Sequence, residues 1–281
     1  MDKNELRGIE NNNKKKTFSK VFLIAGSEPL GSAGIQADIK AISACGGYAA
    51  GAITCIVDED TKRVKDICMI SERMVLGQSE SFLSDVGADC IKTGMLYTGE
   101  MIKAVASLLK KYRNVPLLVD PVMVSSGGAQ LIEDNAIDAY KKYLFPLALI
   151  TTPNRREAEL LLGREIKPEN MEDDLKELCQ WGNSVIVKSM DEGDILKDFL
   201  YDAKEKQMLV YPKKKIDTRN VNGTGDSFGS AIATYIARGY SLQEAVSKAE
   251  QFIHKAIETG AEYSFGEGYG PVHAFYNITL L

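Results

Sequence analysis

Short apolar runs recur along this chain, each stopped by glycine, proline or a polar turn and followed by a helix-like stretch. Val21-Phe22-Leu23-Ile24-Ala25 runs into Gly26, and the run 52–57 into Asp58-Glu59-Asp60. Cys90-Ile91-Lys92-Thr93 leads to Gly94, Leu117-Leu118-Val119 to Asp120-Pro121, the run 147–150 to Thr152-Pro153, and Ser184-Val185-Ile186-Val187 to Lys188. Runs this short and this apolar suit strands buried on both faces of a parallel sheet. Amphipathic segments at 34–44, 99–111, 135–143 and 155–162 lie between them. That alternation predicts an α/β fold, a sheet covered by helices on both faces. Residues 198–211 alternate like a hairpin, which predicts antiparallel strands at one edge, and two helices follow at 227–238 and 241–259.

The 281 residues are 44% hydrophobic and 26% charged, ordinary for a soluble enzyme. A net charge of -5 argues against a nucleic-acid partner. The five cysteines are scattered without C-x-x-C spacing, which fits a reduced cytoplasmic protein, and two histidines cannot build a histidine-rich metal centre. Residues 1–18 are polar, with Asn11 to Asn13 followed by Lys14 to Lys16, and read as a disordered tail rather than a signal peptide. No apolar run reaches membrane-spanning length, so no membrane partner is expected. With no repeat or linker-like boundary, residues 19–281 read as one domain.

The chemistry concentrates at Asn222-Gly223-Thr224-Gly225-Asp226. Consecutive N–H groups of a Gly-rich turn opening a helix cradle an anion, and the helix dipole adds to the cradle. A carboxylate directly behind such a cradle is out of place for mere phosphate binding. It is in place if Asp226 orients and deprotonates a hydroxyl that attacks phosphorus. The pattern therefore points to phosphorylation of a small alcohol.

In an open parallel sheet, ligands bind beyond the carboxyl ends of the strands. Gly26, Asp38, Glu59, Met95, Asp120, Asn154, Glu157 and Lys188 all fall there. Singly, each has a plainer reading. Asp120-Pro121 can be a strand-ending turn, and Asn154-x-x-Glu157 has the spacing of a helix capping box. Their convergence on one rim favours function.

These residues resemble the hydroxymethylpyrimidine/phosphomethylpyrimidine kinases of thiamin biosynthesis, members of the ribokinase-like superfamily beside the pyridoxal kinases. The resemblance is carried by Gly26-Ser27-Glu28-Pro29, Gly34-Ile35-Gln36-Ala37-Asp38, Lys92-Thr93-Gly94-Met95-Leu96 and Val119-Asp120-Pro121-Val122-Met123. Thr152-Pro153-Asn154 with Glu157-Ala158, the Gly223 turn, and the closing Gly268-Tyr269-Gly270-Pro271-Val272-His273 continue it, collinear from about residue 20 to the end. It implies a three-layer α/β/α fold, ATP and Mg2+ as cofactors, and a homodimer. It also implies that Gly26, Asp38, Glu59, Met95 and Val122 line a pocket for a small heterocyclic alcohol. By the same resemblance Asn154, Glu157 and Asp120 hold magnesium through water, with Asn154 also near the nucleotide. Lys188 touches the nucleotide phosphates, and Gly223, Thr224 and Gly225 form the anion hole beside Asp226.

The sequence departs from the thiamin branch at several positions. Cysteine usually follows Gly-Thr-Gly and histidine precedes it, where this chain has Asp226 and Asn222. Glu59 replaces glutamine, Lys188-Ser189-Met190 replaces Lys-Gly-Gly, and Ser125-Ser126-Gly127 replaces a lysine-bearing lid segment. The expected activity is phosphorylation of 4-amino-5-hydroxymethyl-2-methylpyrimidine, with its monophosphate as second acceptor. A pyridoxal or pyridoxine kinase is the alternative, and a vitamin-binding sensor without catalysis a remote one.

Overall fold

The structure is a computed structural model that describes residues 16–123, 132–133 and 135–278. Of the expected disordered tail only residues 16–18 fall within it, and Ser125-Ser126-Gly127 lies outside the described residues. The apolar runs become strands: β1 (Lys20–Ser27), β2 (Tyr48–Glu59), β4 (Cys90–Thr93), β5 (Leu117–Val119), β6 (Ile150–Thr151) and β7 (Ser184–Glu192). With β3 (Val64–Met69), β8 (Ile195–Asp202) and β9 (Gln207–Lys214) they form one sheet in the order β3-β2-β1-β4-β5-β6-β7-β8-β9. Pairing is parallel from β2 through β1 to β7, and antiparallel where β3, β8 and β9 are added at the two edges.

Side chains of β1 show why the strands are apolar throughout. Val21, Leu23 and Ala25 enter one core, while Phe22 and Ile24 enter the other. The first core is closed by α1 (Gly34–Ala44), α7 (Thr224–Ala237) and α8 (Leu242–Gly260), the second by α2 (Glu72–Asp85), α3 (Gly99–Leu109), α4 (Ala136–Ala139), α5 (Arg155–Leu162) and α6 (Met171–Leu178). A strand with neighbours on both faces cannot alternate polar and apolar residues. The result is the ribokinase-like three-layer α/β/α arrangement that the sequence implies.

The expected antiparallel edge is present as β8 and β9, but its counterpart β3 is not legible in the sequence. Lys65 and Asp66 interrupt any apolar run there, because an edge strand faces water and tolerates charge. The expected strand at 147–150 is shortened, since Pro146 starts a 3-10 turn (Phe145–Leu147) and only Ile150–Thr151 pairs. The helix expected at 135–143 is α-helical only at Ala136–Ala139 and continues as a π-turn, Tyr140–Leu144.

Candidate active site

The order of the sheet reverses at β1, where β2 lies on one side and β4 on the other. Such a switch point opens a crevice beyond the strand ends. Here it holds a cavity of about 510 Å³, ample for a small heterocycle and part of a nucleotide. Gly26, Glu59, Met95, Asp120, Val122, Asn154, Glu157, Lys188, Gly223, Thr224, Gly225 and Asp226 all line it, as expected from the sequence.

Gly223 begins the turn with φ 72°, the left-handed region that favours glycine. A Cβ there would also lie 1.8 Å from the Ser32 carbonyl oxygen. The residue is thus required twice, by its dihedral and by the loop pressed against it. The turn is closed by Thr224 N–H to Val221 O (3.2 Å) and Ser227 N–H to Gly223 O (2.9 Å). It leaves the first N–H groups of α7 to point outward, without partners inside the helix. A Cβ on Gly225 would stand 3.2 Å from Lys188 Nζ, so the bare backbone lets the ammonium approach the cradle.

Asp226 reaches the cavity with 17% of its side chain exposed, while Lys92 behind it has none. Lys92 Nζ lies 4.0 Å from Asp226 and 2.7 Å from Asp38 Oδ1, which also accepts from Ser230 Oγ at 2.7 Å. Asp38 is the one expected pocket residue that the structure moves elsewhere. It is fully buried and absent from the cavity wall, because α1 turns it inward toward a lysine that needs a counter-charge. Burial pushes Asp38 up to about 7, against the opposing pull of Lys92. Burial also raises Asp226, opposed chiefly by Lys92. For Lys92, burial works against the charge, but Asp38, Asp226 and Asp120 together hold the ammonium protonated. A lysine inside the otherwise apolar run 90–93 was the signal for this cluster, and the sequence reading assigned it no role.

Across the turn, Asp120 Oδ1 accepts from Lys188 Nζ (3.1 Å) and Thr152 Oγ1 (2.9 Å). Asn154 and Glu157 do form the capping box of α5: Asn154 Oδ1 takes the Glu157 N–H at 3.0 Å, and Glu157 Oε2 takes the Asn154 N–H at 2.8 Å. Glu157 Oε1 also takes the Met123 N–H at 3.1 Å. The capping and cavity readings are therefore both satisfied by one pair. Burial, with repulsion from Asp120, raises Glu157 to about 7 despite Lys188. A cation beside these two carboxylates would relieve both effects. Among the described residues no group of three acidic, histidine or cysteine side chains forms a protein-only metal cage. The donor set fits a hard ion that keeps most of its waters, as magnesium does.

At the other end, Glu28 shapes the loop over residues 28–33. Its Oε1 accepts Ser32 N–H at 2.5 Å and Ala33 N–H at 2.7 Å, and its Oε2 accepts Leu30 N–H. Glu59 sits nearby, raised to about 7 by burial and by repulsion from Glu28, Asp226 and Asp60. Met95 and Val122 supply the apolar wall, whereas Met123 is a core residue. A further charged cluster was missed by the sequence reading: Lys213 pairs with Asp198 (2.7 Å) and Glu250 (3.0 Å), and Asp198 and Lys213 reach the cavity. Asp198 Oδ1 also accepts the N–H of Ser189 (2.7 Å), which is held at φ 61° where glycine is usual. These partners come from β8, β9 and α8, too far apart in sequence for spacing to reveal.

The phosphomethylpyrimidine kinase family matches residues 28–273. A hydroxymethylpyrimidine/phosphomethylpyrimidine kinase of Rhizobium meliloti is 38% identical over 257 residues, covering 90% of this chain and 96% of that one. A thiamine biosynthesis bifunctional protein of Geobacter sulfurreducens is 39% identical over 257 residues, and the match spans 90% of this chain but only 51% of that protein. Among solved structures, an ADP complex of Bacillus subtilis pyridoxal kinase aligns with a TM-score of 0.84 at 29% identity, covering 94% of this chain and all of that one.

Lys92→Met is expected to destabilise the fold by about 3–5 kcal/mol in urea titrations, because it strands Asp38 without its cation. Glu250 supplies a pH signature. Burial, with repulsion from Asp198, raises it from 4.5 to about 8 against Lys213. The unfolded chain loses this proton first, so the contribution is full below about 4.5 and is lost as pH rises through about 8. Denaturation midpoints measured across that window should fall less steeply in Glu250→Gln than in the parent.

Proposed function

Since the chain belongs to the phosphomethylpyrimidine kinase family, and is a phosphotransferase of it, we propose that it moves the γ-phosphoryl group of ATP to the hydroxymethyl oxygen of 4-amino-5-hydroxymethyl-2-methylpyrimidine in thiamine biosynthesis. The observation that carries this reading is the placement of Asp226 on the cavity wall, one residue beyond the Gly223-Thr224-Gly225 turn, with Lys92 behind it and Lys188 beside it. Asp226 accepts the hydroxyl proton as the oxygen bonds to the γ-phosphorus, and the bond to the β-phosphate oxygen breaks to release ADP. The N–H groups opening α7 receive charge that develops on the transferred group. Lys188 adds a positive charge, and its bond to Asp120 holds it aimed there. Asp120, Asn154 and Glu157 would hold Mg2+, which would supply charge neutralisation on the phosphates.

Glu59 supports the aminopyrimidine. An ionised carboxylate only accepts hydrogen bonds, and a protonated one both donates and accepts. With its proton lost near pH 7, Glu59 can meet an amino group beside a ring nitrogen in either state. The likeness to a pyridoxal kinase favours a second reading, in which pyridoxal or pyridoxine is the alcohol. A panel of the pyrimidine alcohol, its monophosphate, pyridoxal, pyridoxine and pyridoxamine with ATP and magnesium tests both; absence of any phosphorylated product would overturn them together. The same reading takes the enzyme as a cytoplasmic homodimer, which light scattering of the purified protein tests for assembly. Among the described residues no helix is long and apolar enough to cross a membrane.

Asp226 also bears on the second transfer. A phosphate monoester needs no general base, and at about 4 Å two like unit charges repel by roughly 4 kcal/mol at an effective dielectric near 20. The monophosphate is therefore expected to turn over more slowly than the alcohol, and equal turnover numbers would refute this. Asp226→Asn should lower kcat for the alcohol by about 10²–10⁴-fold. In Glu59→Gln, KM for the pyrimidine should lose its dependence on pH around 7, measured from pH 6 to 8.

A further inference from the structure

The closing Gly268-Tyr269-Gly270-Pro271 segment lies outside the cavity wall, yet it is built to unusually close tolerances. A Cβ on Gly268 would lie 2.0 Å from the carbonyl oxygen of Thr61, and one on Gly266, itself at φ 59°, would lie 2.7 Å from Thr61 Cγ2. Thr61 is at the tip of the hairpin that joins β2 to β3. The tip is a defined turn: Asp60 Oδ1 accepts the N–H groups of Lys62 (2.9 Å) and Arg63 (3.1 Å). The closing segment grips this turn from outside. Tyr269 N–H donates to Thr61 O at 2.8 Å, Gly268 N–H donates to Thr61 Oγ1 at 3.0 Å, and Lys62 pairs with Glu267. The ion pair is exposed and adds little; the backbone contacts make the joint.

The other end of the segment is fastened to the catalytic turn. A Cβ on Gly270 would lie 2.0 Å from Asn220 Oδ1. Gly270 N–H donates to Arg219 O (3.2 Å), Asn222 N–H donates to Gly270 O (2.9 Å), and Asn222 and Pro271 pair as a parallel bridge. Asn220 Nδ2 ties the same strand of chain to the carbonyls of Gly260 (2.7 Å) and Tyr263 (2.6 Å) at the end of α8. One short segment thus grips Thr61 with one end and Asn222 with the other. Two residues before Thr61 is Glu59; one residue after Asn222 is Gly223.

We propose that residues 266–271 are a positioning clasp, seating the hairpin that carries Val57, Glu59 and Val64 over the alcohol end of the cavity and fixing its distance from the turn that opens the helix of Asp226. Its glycines are required by contact, since any side chain at 268 or 270 would displace the hairpin or the turn. The inference builds on the kinase reading for its kinetic consequence, while its structural consequence is independent of substrate. Loosening the clasp frees the hairpin and the turn without touching a cavity residue, so it acts on how the alcohol is held before it acts on the transfer step.

The test is amide hydrogen exchange on the ligand-free full chain, followed by steady-state kinetics, with Gly268→Ala and Thr61→Val. The first drives a methyl against the Thr61 carbonyl; the second keeps shape but removes the acceptor of the Gly268 N–H. Exchange over residues 57–66 and 219–226 should rise about tenfold or more in Gly268→Ala, and by less in Thr61→Val, with α3 unchanged. KM for the pyrimidine alcohol should rise about tenfold, and kcat should fall by a smaller factor. General destabilisation would instead speed exchange in every element and leave KM alone. Parent-like exchange over 57–66 in Thr61→Val overturns the clasp, and so does an unchanged KM where the hairpin has loosened. If Gly268→Ala does not fold, Thr61→Val decides alone. If the parent phosphorylates no alcohol, the kinase reading falls, and the exchange measurements still decide the clasp.

Discussion

A lysine without solvent contact, held between two aspartates at the switch point of the sheet, is the constraint around which this site is arranged. Lys92 comes up through β4 from a strand otherwise buried by apolar neighbours, and such a charge is tolerable only if its partners are supplied. Asp38 comes from α1 and Asp226 from α7, so the pairings dock both helices onto β4. Gly229, on the facing turn of α7, is bare because a Cβ would meet Lys92 Cε at 3.0 Å. The charge that faces Asp226 is thus also what locates the helix that presents it.

The cavity has the same logic around Asp120 and Glu157. Lys188 and Asp120 neutralise one another, Glu157 is pressed against both, and Asp198 and Glu250 share Lys213. Each cluster holds more carboxylate than cation. Asp120, Glu157 and Asp198 make this part of the wall acidic, a field that repels anions and attracts hydrated cations. The Gly-Thr-Gly turn adds what carboxylates cannot, backbone N–H donors at the start of α7.

Much of this was legible in the sequence, for reasons that differ between residues. Strands β1, β4, β5 and β7 announce themselves because both faces are buried, and the turn at Gly223 because only glycine fits a left-handed φ against the Ser32 carbonyl. Asp38 was misplaced because a rim position in sequence does not say which way a helix faces; the partner that turns it inward is 54 residues away. β3 was hidden by its exposure, and the Asp198–Lys213–Glu250 cluster by the separation of its members. What sequence patterning encodes is local periodicity and steric exclusion. What it does not encode is which distant charges meet.

The capping box of α5 has a consequence for how such an enzyme can change. Asn154 and Glu157 both begin a helix and line the cavity, so a substitution there disturbs the fold and the cavity together. Glu59 carries no such double duty. It stands half-buried on the β2–β3 hairpin, one strand in from the edge of the sheet. Substitution on the hairpin can therefore proceed one residue at a time, while Asn154 and Glu157 stay fixed by the helix they begin. On this scaffold the hairpin is free to vary before the start of α5 is.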